Sequence, residues 1–308
     1  MIEDLAFIGQ IAVKSSIAVL LATLGEIITE RSGVLNLGVE GMMLAGALCG
    51  MAAGVVTGNP FAAAAAGALA GGLLALVHAF FAVTLKVNQV LSGLALTILG
   101  MGLTSFLGRP LIGVRPGVRL RAVPIPGLSD IPLIGDIFFQ QSLLAYLAYL
   151  LVPLCWYLLY RTGAGLKIRA AGEDAAAVDA AGIDVFRIRY LCTFIGGIGA
   201  GLAGAYLSLS YTPGWKESMT GGQGWVAIAM VIFATWNPLR AVIGAFLFGF
   251  LTALQFYFQA VGMELIPAYI LKMLPYVLTI LVMVVVHAGP GRRFGGPAAL
   301  GIPFSREG

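Results

Sequence analysis

Three groups of residues in this 308-residue chain are of types that do chemistry, placed where chemistry is costly. The first is charged or amide-bearing: Lys14, Glu26, Glu30, Arg31, Asn36, Glu40 and Gln223 stand in or beside long apolar runs. An ionised side chain in hydrocarbon is expensive, so such groups pair, face water, or lie on a solute or ion path. Glu40 lies between Gly38 and Gly41, and Gln223 between Gly222 and Gly224, where missing side chains let backbones approach. Two polar residues at matched glycine-flanked positions point to a broken-helix element. Glu40 therefore reads either as a translocation or gating group or as half of a buried pair. The run 25–33 reads as a helix end and turn in which Arg31 neutralises a nearby glutamate. The second group, Asn88, Gln89, Ser92 and Trp225, is of kinds that line a solute path, glue helices together or mark a membrane interface.

The third group lies in segment 161–189, around Gly172, Glu173, Asp174 and Gly182. A glycine followed by two acids suits a helix start, where negative charge meets the positive end of the dipole, and Gly182 suits the stop. The expected helix has about two turns, with Ala177, Ala180 and Ala181 on one smooth face. Such a helix is too short to stand alone. Either a partner groove holds it or its own bundle does.

The elements that position these groups follow from composition. Hydrophobic residues make up 59% of the chain and charged residues 10%, against about 25% charged in soluble domains. That excludes an ordinary water-soluble domain and leaves an all-α polytopic membrane protein. Apolar windows predict nine spans, near 8–28, 36–56, 61–83, 89–107, 142–160, 190–211, 224–236, 240–258 and 267–288, the seventh short. The first is read as a span and not as a removable signal, because Glu3 and Asp4 stand where a signal carries basic residues. Cys49, Cys155 and Cys192 are scattered in apolar stretches and fit neither a disulfide framework nor a metal site. No cofactor and no nucleic-acid surface are expected.

Placing the basic segment 161–189 in the cytoplasm puts eleven Lys and Arg residues inside and five outside. The N-terminus then lies outside and the tail 289–308 inside. Four of the outer five, Arg109, Arg115, Arg119 and Arg121, crowd the loop 108–141, whose prolines and glycines argue against a tenth regular span.

An internal echo organises the rest. Residues 57–80 align without gaps on 235–258, an offset of 178, with ten identities in 24 positions, and both copies begin on an Asn-Pro: Asn59-Pro60 and Asn237-Pro238. In the predicted topology the two lie on opposite sides. The chain then reads as one permease-type domain, with a first half over 8–107, an inverted second half over 190–288, and the loop 161–189 between them. Inverted halves are characteristic of transporters, with the solute route at their interface.

Three stretches carry a resemblance: 30–43 (Glu30-Arg31-Ser32-Gly33-Val34-Leu35-Asn36-Leu37-Gly38-Val39-Glu40-Gly41-Met42-Met43), 163–190 and 221–258. Together they are similar to the membrane permease subunit of bacterial ABC importers of the branched-chain amino acid, ribose and nucleoside group. The Asn-Leu-Gly-x-Glu-Gly wording resembles the nucleoside and simple-sugar branch most. The resemblance implies a bacterial inner-membrane pore made with a second, related permease. Cytoplasmic ATPase subunits would drive it and an extracytoplasmic solute-binding protein would feed it. It also implies that the helix near 173–182 couples to the ATPase. Two departures stand out: Ala175 replaces a proline common at the coupling loop, and Gln223 stands where relatives often carry arginine. Independently, the chain has no Gly-x-x-x-x-Gly-Lys-Ser/Thr phosphate loop, so it is not expected to hydrolyse ATP. The competing reading is a secondary transporter driven by an ion gradient. An intramembrane enzyme is disfavoured, since His78 and His287 stand apart without catalytic context.

Overall fold

Hydrocarbon offers no hydrogen bonds, so a chain crossing it must satisfy its backbone within each segment, which a helix does. The structure, a computed structural model, describes residues 2–114, 117–260, 270, 273, 276, 277, 280, 281, 284 and 295–306. In chain order the helices are α1 (Ile2–Arg31), α2 (Val39–Thr57), α3 (Pro60–Ala79), α4 (Gln89–Leu107), α5 (Ile134–Phe138) and α6 (Leu143–Arg161). There follow α7 (Gly163–Glu173), α8 (Ala175–Ala180), α9 (Val185–Tyr206), α10 (Gln223–Phe233) and α11 (Pro238–Ala260). π-helical turns extend α3 over Phe80–Thr84 and α9 over Leu207–Tyr211.

Seven of these helices, α1, α2, α3, α4, α6, α9 and α11, are long and apolar enough to cross a membrane, and α10 is a shorter apolar helix. At about 1.5 Å per residue α10 runs only about 16 Å, half of a hydrocarbon slab of about 30 Å. The expected short seventh span is this helix. The ninth expected span, near 267–288, falls for the most part outside the described residues, as do Arg115, His287, Arg292 and Arg293.

Side-chain caps fix where helices begin. Asn59 accepts from the Phe61 and Ala62 amides at 2.9 and 3.3 Å, with Pro60 in the first turn. Asn237 accepts from the Leu239 amide at 2.9 Å ahead of the echoed helix. Asp184 accepts from the Arg187 amide at 3.1 Å, which starts α9 at Val185, ahead of the expected 190.

In the middle of the bundle α2, α3 and α9 cross at glycines. A Cβ placed on Gly201 would fall against the Gly67 carbonyl, one on Gly46 against the Gly201 backbone, and one on Gly71 against the Gly197 carbonyl. Lipid supplies no hydrophobic drive between helices, so such close backbone approach is what holds them.

The bundle has two distinct ends. One gathers Arg31, Tyr160, Gly172, Arg189 and Trp236 with the tail 295–306. The other gathers the start of α1 with the segment 108–142. There β1 (Ala122–Pro124) pairs antiparallel with β2 (Gln140–Ser142), Ala122 opposite Ser142, and Leu120 donates its amide to Leu209 at 3.0 Å. Among its described residues this segment holds only short elements, α5, β1 and β2, that cap the bundle, and none is long enough to span, in line with the expectation of no tenth span.

Candidate functional site

Between α1 and α2 the backbone leaves the helix over 32–38, and its polar groups find side chains. The Leu35 amide donates to Gln89 Oε1 at 2.7 Å and the Leu35 carbonyl meets His78 Nε2 at 3.0 Å. His78 Nδ1 lies 3.0 Å from Ser92 Oγ. The Leu37 carbonyl accepts from Thr97 at 2.9 Å. Asn36 donates through its amide and its side chain to the two oxygens of Glu26, at 3.2 and 3.1 Å, and accepts from the Gly38 amide at 2.9 Å. Non-helical backbone at membrane depth persists only where protein or water satisfies it. Asn36, Gln89 and Ser92 therefore meet at one unwound segment, and they are occupied in holding it. His78, which the sequence offered no reason to select, completes the set.

A second unwound segment, 212–222, reaches the first turn of α2 at Glu40, two residues beyond the first. Gly221 and Gly222 take positive φ of 57° and 86°, a conformation easy only for glycine, and turn the chain into α10. Glu40 closes this turn: it accepts from Thr220 Oγ1 at 2.5 Å, from the Gly222 amide at 2.9 Å and from the Gly224 amide at 2.7 Å. A carboxylate at a helix N-terminus receives the unpaired amides and the positive dipole end. The two glycine-flanked polar positions thus come into contact, Gly224 lying against the Glu40 backbone. Gln223 sits beside them with its Oε1 buried and without a partner in the described structure. Asn88 caps α4 at the Leu91 amide, 3.1 Å, and Trp225 is exposed; neither joins this cluster.

Among the described residues Arg31 pairs with no glutamate, against the expectation. It donates to the Trp236 carbonyl at 3.2 Å and the Tyr160 hydroxyl at 3.1 Å, because the tight turn before α11 leaves carbonyls directed at it. Glu30 instead accepts from the Trp236 indole at 2.5 Å.

The expected helix start at Gly172 is also corrected. Gly172 and Glu173 end α7, and the chain breaks at Asp174, which caps α8 by accepting from the Ala177 amide at 3.0 Å. Glycine serves at 172 because that backbone rests on the Arg31 carbonyl. Gly182, at φ 77°, does end the hook that residues 174–182 form around α8. Ala175 and Val178 are buried against Val185 and Phe304, whereas Ala176, Ala177, Ala180, Ala181 and Gly182 are exposed. The tail ties this end down: the Ala298 amide donates to Glu173 at 3.2 Å, the Ala299 amide to the Gly172 carbonyl at 2.8 Å, and Arg189 to the Ile302 carbonyl at 3.0 Å. Arg306 grips Asp179 with two nitrogens at 2.8 to 3.0 Å. Those hydrogen bonds, and then the charge of Asp179, hold the guanidinium above its ordinary value.

A family model described as the branched-chain amino acid transport system permease component matches residues 7–285. The chain belongs to this permease family. It is 48% identical over 83% of its length to the putative glucose ABC transporter permease protein of Haloferax volcanii, covering 78% of that protein. It is 34% identical to the guanosine ABC transporter permease protein of Bacillus subtilis, over 92% of each chain. It is also 34% identical to the nucleoside ABC transporter permease protein of Lactococcus lactis, over 87% of this chain and 88% of that one. No solved structure matches.

The permease is thus a multi-pass transport subunit of an ABC transporter and not an enzyme. Such a subunit works with ATPase and solute-binding components. The described carboxylates in its unwound centre are engaged internally, Glu26 with Asn36 and Glu40 with the start of α10. Gradient-driven transporters keep ionisable groups in their membrane interior for the coupling ion, and here these two already have protein partners.

Proposed function

We propose that this permease forms, with a second related permease, the pore of an ATP-driven importer for a nucleoside or a sugar-like solute. The similarity to glucose, guanosine and nucleoside permeases supports the solute class. The arrangement is nine spans in two inverted halves, N-terminus outside and C-terminus cytoplasmic. In support, both halves run in the same order: a long helix, an unwound segment, a helix opened by glycines around Glu40 or Gln223, an Asn-Pro cap, and another helix. The unwound segments meeting at Glu40 are the gate, with Asn36, Gln89, Ser92 and Gln223 in its frame and Asn88 and Trp225 at its margin.

The observation that carries this reading is α8. It is a six-residue helix fixed on one side by its own bundle and tail and bare on the other, on an end rich in arginine. Its exposed alanines, with Glu173, Asp174 and Gly182 at the ends, present a smooth knob to a groove in the ATPase. Closure of the ATPase would then move the permease halves as rigid bodies about the gate. An extracytoplasmic binding protein would deliver solute to the opposite end. Ala177→Arg is expected to leave the permease folded and in the membrane while abolishing co-purification of the ATPase and solute uptake. Uptake that survives this substitution, or that collapses under an uncoupler with ATP intact, overturns the coupling role.

A further inference from the structure

At the end of the bundle away from α8 lies a cavity of about 210 Å3, lined by Ile11, Lys14, Ala122, Gln141, Ser142 and the end of α9 at Tyr206, Ser210 and Tyr211. Three observations set it apart. Lys14 stands about 13 Å into α1, counted from Leu5 at about 1.5 Å per residue, and its ammonium has no hydrogen-bond or ion-pair partner among the described residues. Gln141 is 0% exposed and Ser142 is 5% exposed, yet Gln141 Oε1 and Ser142 Oγ have no hydrogen-bond partner among the described residues. The wall beside them is aromatic, with Tyr206 and Tyr211 stacked at 6.4 Å and 27°. Their hydroxyls are committed, Tyr206 donating to the Lys14 carbonyl at 2.9 Å and Tyr211 sharing a hydrogen with Ser15 at 3.0 Å. Each is thereby fixed. The π-helical turn Leu207–Tyr211 swings Ser210 and Tyr211 into the lining, and such turns recur at functional sites.

Buried polar atoms are ordinarily satisfied, and a cluster of orphans around an unpaired cation asks for a ligand that both donates and accepts. A hydroxyl does both: it accepts from Lys14 and donates to Gln141 Oε1, while Ser142 takes either role. A ring that carries several hydroxyls also has an apolar C–H face to set against tyrosine. The cavity is smaller than the roughly 300 Å3 at which drug-sized pockets begin, so it holds a single ring and leaves the rest of a larger solute outside. We propose that this cavity is a sugar-ring subsite at the outer mouth of the solute path, holding a pentose or hexose, free or as the ribose of a nucleoside. The proposal rests on the solute class given above.

The test is saturation-transfer NMR on the full-length permease in lipid nanodiscs, with D-ribose, D-glucose, guanosine and L-leucine as probes. The sugar-ring protons of the first three should receive saturation and L-leucine should not. Lys14→Met and Ser142→Ala each remove a group that makes no hydrogen bond among the described residues, so melting should be unchanged while sugar affinity falls about tenfold. Gln141→Met is the third variant, read together with its melting curve because it also breaks the bond to the Ile137 carbonyl. Transfer to L-leucine in preference to the sugars overturns the assignment, as does absence of transfer to any probe, or sugar transfer that Lys14→Met and Ser142→Ala leave intact. ATPase is absent from this assay. Its failure therefore leaves the coupling role of α8 standing, and failure of that role leaves this subsite standing.

Discussion

Where α2, α3 and α9 cross, Gly46, Gly67, Gly71, Gly197 and Gly201 press backbone on backbone, whereas on α8 and its C-cap Ala176 and Ala180 border an open cleft against the tail at 303–306, and Ala177 and Ala181 are exposed. Both surfaces are built from small residues, so residue type does not separate them. What separates them is whether a surface of the same chain lies opposite. In the crossing, any added carbon would meet a carbonyl that helix geometry holds in place. On the hook, the apolar residues that could be buried, Ala175 and Val178, already are, and the rest were left smooth. A smooth face on a segment so firmly anchored elsewhere is what the proposed ATPase contact requires.

The contrast breaks first if the crossing tolerates bulk. Gly201→Val places side-chain atoms against the Gly67 backbone and is expected to cost about 3 kcal/mol or more, seen as loss of monodisperse permease and a collapsed melting transition. The same enlargement on the hook, Ala177→Val, is expected to change stability by less than about 0.5 kcal/mol. Equal melting of the two variants would erase the distinction.

Next in size is the Glu40 cradle, where contact depends on hydrogen bonds and not on missing side chains. Glu40→Gln keeps the shape but turns an amide NH2 toward donors that need acceptors, leaving the Thr220 hydroxyl or the Gly222 or Gly224 amide unsatisfied. The expected cost is about 3 kcal/mol in melting. Glu40→Asp, one methylene shorter, should cost less and preserve the acceptors. If Gln melts like wild type, the cradle is not what joins the two unwound segments.

How much of this was legible follows the same division. Span positions were readable because a run of apolar residues near the length of the slab declares itself locally, and the caps Asn59 and Asn237 declare themselves by the proline that follows. The tie between Glu40 and 222–224 was legible only as a matched pair of motifs; that the two touch required the fold. Arg31 was misassigned because its partners, the carbonyls at 235 and 236, lie some two hundred residues away and are exposed by a turn, while the glutamates nearby in sequence are turned to Trp236 and Asn36. Gly172 was misread for a related reason. A glycine can start a helix or admit a neighbouring backbone, and only the position of Arg31 shows which. The tail at 295–306 carries no periodic signal, since it is held in large part at the backbone of Ala298, Ala299 and Ile302, atoms that every residue has, with Phe304 and Arg306 as its side-chain contacts.

The smallest expected effect concerns the border of the open face, where Arg306 holds Asp179 beside the exposed alanines. The Arg306 and Asp179 side chains are 61% and 21% exposed, and exposed pairs contribute little to stability, so Arg306→Ala should leave melting unchanged. Its effect should be local. A spin label at Ser305→Cys is expected to become more mobile in the Arg306→Ala background, and raising salt from 0.1 to 1 M should move the unsubstituted protein in the same direction. Raising the pH from 6 to 9 should not. A cation whose value is raised on folding gives its stabilisation fully below its ordinary value, and loses it only as pH climbs through the raised one, far above that window. A melting loss as large as that of Glu40→Gln would instead make the tail part of the fixed bundle, and the surface open to a partner would then be confined to Ala177 and Ala181.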